Sequence, residues 1–266
     1  MSEPPAPVPD ATARRAIVLL PGLDGTGRLL ADVAAALAPD YDVAIIAYPT
    51  QEPLSYDALV AYVRQRLPQR PFLLLGESFS GPVALRLAAE APPLLEAVVI
   101  CASFARLDIA LKPMLAALAG IVSPRLVPTA LLDRLLAGGR AQPALLAGLR
   151  RCLSDVAAPV LAARLREALR VDLPAAGVAV GQPLLYLRAT DDRLMPASAP
   201  DTVAAIARDM HITAIRAPHF LLQSEPARCA DAIRAFDRER LAAPASSIRP
   251  VPSRTASGHA HQDHRP

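Results

Sequence analysis

The sequence contains no tryptophan, only three cysteines and no long apolar run. Cys101, Cys152 and Cys229 are widely spaced and form no metal or disulfide pattern, so a reducing, cytoplasmic location is the simpler interpretation. A membrane-spanning helix needs about 18 apolar residues. The longest run in the middle of the chain, Met114 to Val122, has nine. Residues 1–15 are proline-rich and lack a basic start followed by an apolar stretch, so we predict no secretory signal.

Charged residues are also few, at 20% of the 266 residues, whereas apolar residues reach 53%. This composition excludes a globally disordered chain and predicts one domain with an insertion. The formal net charge of +3 is unevenly distributed, since residues 105–182 carry ten basic and five acidic groups. The same block has no Phe, Tyr or Trp.

Apolar runs alternate with helical spacing in two parts of the chain, which predicts an α/β fold with a mainly parallel sheet. We expect the domain to cover residues 14–241 and the ends, 1–13 and 242–266, to be flexible. The predicted strands are Ala16–Leu20, Val43–Ala47, Phe72–Leu75, Ala97–Cys101, Leu184–Leu187 and Ile212–Ile215. The predicted helices cover 26–38, 55–67, 80–91, 198–207 and 226–241.

Residues 105–182 interrupt this alternation, because their leucines recur at helical spacing only. Four prolines, Pro113, Pro128, Pro143 and Pro159, stand where helices are expected to begin. We therefore predict a helical insertion that divides an otherwise continuous α/β domain.

The segment around Ser78 carries the strongest chemical signal. An apolar strand runs into this serine, which has the small residues Gly76 and Ser80 two positions before and after it, and a predicted helix follows. A tight strand-to-helix turn needs small neighbours and exposes the serine beside the free N–H groups of the helix start.

This segment resembles the nucleophile elbow, G-x-S-x-G, of the α/β-hydrolase superfamily, with Ser80 in place of the last glycine. The resemblance covers residues 14–104 and 183–241 and implies an α/β-hydrolase fold. By position only, residues 105–182 match the helical cap of that superfamily.

A serine hydroxyl needs a base that is held by a carboxylate, and the superfamily order is Ser, acid, His. The resemblance implies His219 as the base, since it follows the last predicted strand in a Pro-His-Phe context. The other downstream histidine of the folded part, His211, is expected to be a packed or edge residue. Alignment on Pro196 implies Asp192 as the acid, and its neighbour Asp191 remains the alternative.

The loop after the first strand is glycine-rich, with Gly22, Gly25 and Gly27. The resemblance implies that the backbone amides of Leu23 and Phe79 form the oxyanion hole. The glycine spacing does not match the dinucleotide or phosphate-loop patterns. We accordingly expect no cofactor, no metal and no nucleic-acid partner.

Three functions stay open at this stage. The first is a serine hydrolase that cleaves small-molecule carboxylic esters through an acyl-enzyme on Ser78. The second is an acyl thioesterase or acyltransferase, since the basic block at 105–182 favours anionic substrates such as acyl-CoA, or contact of the cap with an anionic lipid interface. The third is a binding protein without catalytic activity on the same fold.

Overall fold

The computed structural model describes residues 14–110 and 124–240. The predicted flexible ends lie outside the described residues, as do Pro113 and the rest of 111–123. Within the described ranges, no helix has the length and apolarity needed to cross a membrane.

Six strands form one sheet in which every pair of neighbours is parallel. The order across the sheet is β2-β1-β3-β4-β5-β6. The strands are β1 (Arg15–Leu20), β2 (Tyr41–Ile45), β3 (Phe72–Glu77), β4 (Leu95–Cys101), β5 (Leu184–Ala189) and β6 (Met210–Ile215). The α/β fold with a parallel sheet that the sequence predicts is confirmed.

Both faces of the central strands are buried, which explains their continuous apolar sequences. Val18 and Leu20 of β1 belong to the core on one face, whereas Ile17 and Leu19 belong to the core on the other. The helices α1 (Ala31–Leu37), α2 (Tyr56–Arg64), α3 (Gly81–Ala89), α7 (Ala199–Ala204), α8 (Leu221–Ser224) and α9 (Pro226–Arg240) surround the sheet. Core residues of α2 and α3 lie on the first face, and those of α1 and α9 on the second.

Several element boundaries differ from the sequence prediction, and the starts of β2 and α1 have a local physical reason. Strand β2 begins at Tyr41, two residues earlier than expected, because an edge strand tolerates the exposed Asp42. Helix α1 begins at Ala31 rather than Thr26. Gly27 has a φ of 75° and is followed by a tight single turn at Arg28–Leu30. A left-handed residue cannot continue an α-helix, so the regular helix starts after this turn.

The helical segment, residues 124–170, lies between β4 and β5 and contains α4 (Thr129–Leu136), α5 (Pro143–Asp155) and α6 (Ala158–Arg170). Pro128 immediately precedes α4, while Pro143 and Pro159 occupy the first turns of α5 and α6. Residues of the segment such as Leu132, Leu149, Leu153 and Val160 form an apolar cluster with Phe220, which follows β6. Its role as a cap, and the domain bounds given above, stay predictions.

Candidate active site

Ser78 directly follows β3 and has a φ of 47°, in the left-handed region that non-glycine residues seldom occupy. The turn is tight enough to demand a glycine at position 76. A Cβ atom on Gly76 would lie 2.7 Å from the Ser80 carbonyl oxygen and 2.9 Å from Ala84 Cβ. The local geometry therefore has the backbone strain and close packing expected of an exposed nucleophile.

Ser80 uses the hydroxyl that the expected glycine would lack. Its Oγ donates to the Pro21 carbonyl and lies 2.6 Å from the Tyr48 hydroxyl. The residue is completely buried. Ser80, in place of the expected glycine, thus connects the turn at Ser78 to the start of the glycine-rich loop by a hydrogen bond.

Ser78, His219 and Asp192 form a continuous hydrogen-bonded series. Ser78 Oγ lies 2.9 Å from His219 Nε2, and His219 Nδ1 lies 2.8 Å from Asp192 Oδ2. The side chains of His219 and Asp192 are only 4% and 8% exposed. This arrangement can withdraw a proton from the serine while the carboxylate holds the imidazole.

The two neighbouring aspartates have different environments. Asp192 Oδ1 accepts from the amides of Leu194 and Met195 at 2.8 and 2.9 Å, which leaves Oδ2 directed at the histidine. Asp191 instead lies 3.6 Å from Arg216 and 3.8 Å from Arg140, and its side chain is 37% exposed. The geometry favours Asp192 as the acid. His211 is exposed on the edge strand β6.

The peptides that carry the two predicted oxyanion donors are held through their carbonyls. Gly22 O, in the peptide of the Leu23 amide, accepts from Gly25 N at 3.0 Å. Ser78 O, in the peptide of the Phe79 amide, accepts from the Ser103 hydroxyl. A fixed carbonyl also fixes the opposite N–H, so both amides are pre-oriented, as oxyanion stabilisation requires. Their role stays a prediction.

Glu77, a residue that sequence reasoning missed, lies behind this site. Its Oε2 accepts from Gly22 N at 3.1 Å and its Oε1 from Gln223 Nε2 at 2.8 Å. Burial raises the Glu77 pKa to about 7, and the nearby Asp24 adds to this rise, whereas His219 and the hydrogen bonds oppose it. An acid in the variable position of the elbow motif gives no signal of this burial in the sequence.

An apolar cavity of about 210 Å³ contains Ser78 and His219 in its wall. Nine leucines and Phe220 supply most of the remaining wall. Six of these leucines come from the helical segment: Leu132, Leu135, Leu136, Leu149, Leu153 and Leu165. The cavity is thus suited to an aliphatic group placed next to the serine hydroxyl.

Three arginines of the helical segment serve a different purpose from the one that its charge suggested. Arg125, Arg150 and Arg164 donate to backbone carbonyls. Among the described residues, no lysine or arginine lines the cavity, although Asp24 and Glu77 do. The excess of positive charge therefore favours a structural interpretation over recognition of an anion beside Ser78.

A larger groove of about 660 Å³ adjoins the cavity and shares Leu29 and Gln223 with it. Neither Ser78 nor His219 belongs to its wall. Its charged residues balance: Arg28, Arg140, Arg216, Asp32, Asp191 and Glu225. The groove consequently shows no preference for an anionic or a cationic ligand.

The family model described as "Alpha/beta hydrolase family" matches residues 17–232. The chain belongs to the alpha/beta hydrolase family. This membership agrees with the resemblance seen at Ser78 and supports a hydrolase as the general activity.

Solved structures with the same fold superpose on most of the chain. A hydrolase from Pseudomonas aeruginosa PA01 has a TM-score of 0.71 at 20% identity, covering 85% of this chain and 91% of its own. A bromoperoxidase from Bacillus anthracis has a TM-score of 0.73 at 17% identity, covering 84% and 92%. An esterase from Exiguobacterium antarcticum has a TM-score of 0.69 at 12% identity, also covering 84% and 92%.

These similarities establish the fold, whereas the names of the neighbours differ in the reaction they state. No curated protein sequence matches the chain significantly. The choice of reaction therefore depends on the chemistry of the site.

Proposed function

We propose that this alpha/beta hydrolase cleaves carboxylic esters of aliphatic acids through an acyl-enzyme on Ser78. The observation that carries the proposal is the Ser78–His219–Asp192 series, which opens into a cavity walled by leucines. In this mechanism His219 Nε2 accepts the Ser78 proton as Oγ attacks the acyl carbon, and then donates it to the leaving alcohol. Asp192 keeps the proton on His219 Nδ1.

The amides of Leu23 and Phe79 would donate to the carbonyl oxygen as it becomes negative. Water activated by His219 then releases the acid and restores the serine. The acyl chain would occupy the leucine-lined cavity, because burial of each methylene there contributes about 0.8 kcal/mol.

The proposal is tested with a chain-length series of p-nitrophenyl esters alongside the matching acyl-CoA thioesters. We expect kcat/KM to be larger for the esters, since no lysine or arginine among the described residues of the cavity lies beside Ser78 to bind a phosphate-bearing leaving group, and the charges of the adjoining groove balance. A clear preference for the thioesters would instead support the thioesterase or acyltransferase alternative.

Ser78→Ala and His219→Ala separate an enzyme from a binding protein. We expect each to lower kcat roughly a millionfold while the melting temperature stays close to that of the wild type. A fluorophosphonate probe should label the wild type and a Ser154→Ala control, whose serine is exposed on α5, but not Ser78→Ala. Absence of labelling in the wild type would contradict the proposal.

A further inference from the structure

Arg164 of α6 is a completely enclosed arginine, 2% exposed, in the helical segment. Its guanidinium donates through Nη1 to the carbonyls of Leu23 at 3.0 Å and Asp24 at 2.6 Å, and through Nη2 to the Pro49 carbonyl at 2.9 Å. One side chain therefore connects the helical segment with the glycine-rich loop and with the loop after β2.

A buried cation is costly unless hydrogen bonds compensate for the lost water. Among the described residues, no carboxylate lies within ion-pair distance of Arg164, so the three carbonyls provide this compensation. Burial lowers the Arg164 pKa, whereas Tyr48 and the charge of Asp24 oppose this change. The guanidinium suits the position because its planar donors reach several acceptors at once.

The loop leaves space for the guanidinium at Gly25. A Cβ atom there would lie 2.3 Å from Arg164 Nη1, and the φ of 68° independently favours glycine. Gly25 N also holds the Gly22 carbonyl at 3.0 Å, which orients the Leu23 amide. Arg164 thus contacts the part of the loop that fixes the predicted oxyanion donor.

We propose that Arg164 is a positioning residue that keeps the Leu23 amide directed at the oxyanion and links the placement of α6 to the reactivity of Ser78. The inference rests on the proposed function, because the Leu23 amide has its role only in an acyl-transfer reaction. Arg164 contacts carbonyls of the loop and acts through them.

Further contacts of α6 support this link. Leu165, the next residue, lines the cavity that contains Ser78. Glu167 accepts from Tyr56 N at 2.7 Å, and the Tyr56 hydroxyl donates to the Phe79 carbonyl at 2.9 Å. One helix therefore contacts the acyl cavity and, directly or through Tyr56, both loops that carry the predicted oxyanion amides.

Arg164→Met and Arg164→Lys test the proposal, with Arg166→Met as the matched control. Arg166 is half-buried on the same helix and, within the described part of the chain, donates only to the Ala162 carbonyl of its own turn. For the best p-nitrophenyl ester we expect Arg164→Met to lower kcat about 10- to 100-fold, with KM within about threefold of wild type. Lysine should restore part of the loss, and the control should match the wild type.

Affinity for a trifluoromethyl ketone, which forms a tetrahedral adduct with the serine, should fall by the same factor as kcat/KM. A loss that is confined to KM, or an unchanged kcat, would overturn the proposal. If Arg164→Met does not fold, the kcat and the ketone affinity of Arg164→Lys test the proposal instead. Wild-type values of kcat and ketone affinity in that variant would also overturn the inference, because one ammonium group cannot replace the three planar donor contacts.

Hydrogen exchange measured by mass spectrometry provides a readout that needs no activity. The amides of residues 22–27 should exchange at least about tenfold faster in Arg164→Met than in Arg166→Met. Unchanged exchange would contradict the positioning role. If the wild type hydrolyses no ester, the proposed function fails, whereas the exchange result still shows whether Arg164 holds the loop.

Discussion

The sheet and the helical segment meet at the cavity but are stabilised in different ways. Neighbouring strands pair in parallel between two apolar cores, and the proposed reacting groups follow the ends of β3, β5 and β6. Most of the helical segment packs in a smaller apolar cluster, and Ala168 and Leu169 at the end of α6 join the core on the first face of the sheet. Arg150 binds a carbonyl within the segment, and Arg164 binds a carbonyl of the loop at Leu23.

This difference suggests that the two regions determine different properties of the enzyme. The framework around the sheet would provide Ser78, His219 and Asp192 and thereby determine kcat. The helical segment contributes six leucines to the cavity and would determine which chain is accepted. Arg164 crosses this division, because it extends from the helical segment into the framework. The experiments below test whether changes in each region alter the property assigned to it.

Of these experiments, the one on the acid in the framework has the largest expected effect. Asp192→Asn should lower kcat about 10⁴-fold, because an amide at this position favours the wrong histidine tautomer. Asp191→Asn is the matched control and should stay within about twofold, since Asp191 contacts arginines at the surface rather than His219. Steady-state kinetics on one ester provides the measurement, and a larger loss in Asp191→Asn would refute the assignment.

The pH dependence of stability tests the buried Glu77. Its folded pKa of about 7 lies above the ordinary value of 4.5, so the folded state retains a proton that the unfolded chain releases. Stability should therefore fall as pH rises through the interval between these values. The expected loss is about 3 kcal/mol.

Glu77→Gln removes this titration, so its stability relative to the wild type should increase by about 3 kcal/mol between pH 4.5 and pH 8. Urea unfolding at the two pH values measures the change. Glu239→Gln, at an exposed position of α9, is the control and should show no such trend. If the free energy of unfolding changed equally with pH in the wild type and in Glu77→Gln, the titration of Glu77 would not be the cause of the change.

The smallest change is expected from the cavity wall. Leu135 is half-buried on α4 and lines the cavity, so Leu135→Trp should shorten the preferred acyl chain. Each methylene that no longer fits should lower kcat/KM about fourfold, which corresponds to 0.8 kcal/mol, while short esters keep their rates. Leu131→Trp, on the exposed face of α4, should leave the profile unchanged. Equal losses at all chain lengths would contradict a role in selectivity.

Much of the framework could be predicted because its local signals agree with its environment. A continuous apolar run identifies β1, and the small residues around Ser78 identify the turn after β3. The predicted start of edge strand β2 was two residues too late. One face of this strand meets solvent, so the charged Asp42 lies within the strand and interrupts the apolar run that identifies a buried strand.

The contacts of single polar residues could not be predicted in the same way. Arg164 and Arg166 both occupy a helix with leucine spacing, and only the folded structure shows that one is enclosed while the other is half-buried. Glu77 occupies a variable position of the motif, so its burial depends on Gly22 and Gln223, which are distant in the sequence. Asp191 and Asp192 likewise differ only in the partners that the fold brings to them.

The span of chain between the proposed reacting groups has a consequence for folding kinetics. Ser78 and His219 are 141 residues apart and meet only when β3 and the loop after β6 occupy their places in one sheet. Non-local contacts of this kind require closure of a long loop and form slowly. After dilution from denaturant, enzymatic activity should therefore return later than the circular dichroism signal of the helices. The recovery of activity would then report that the sheet is complete.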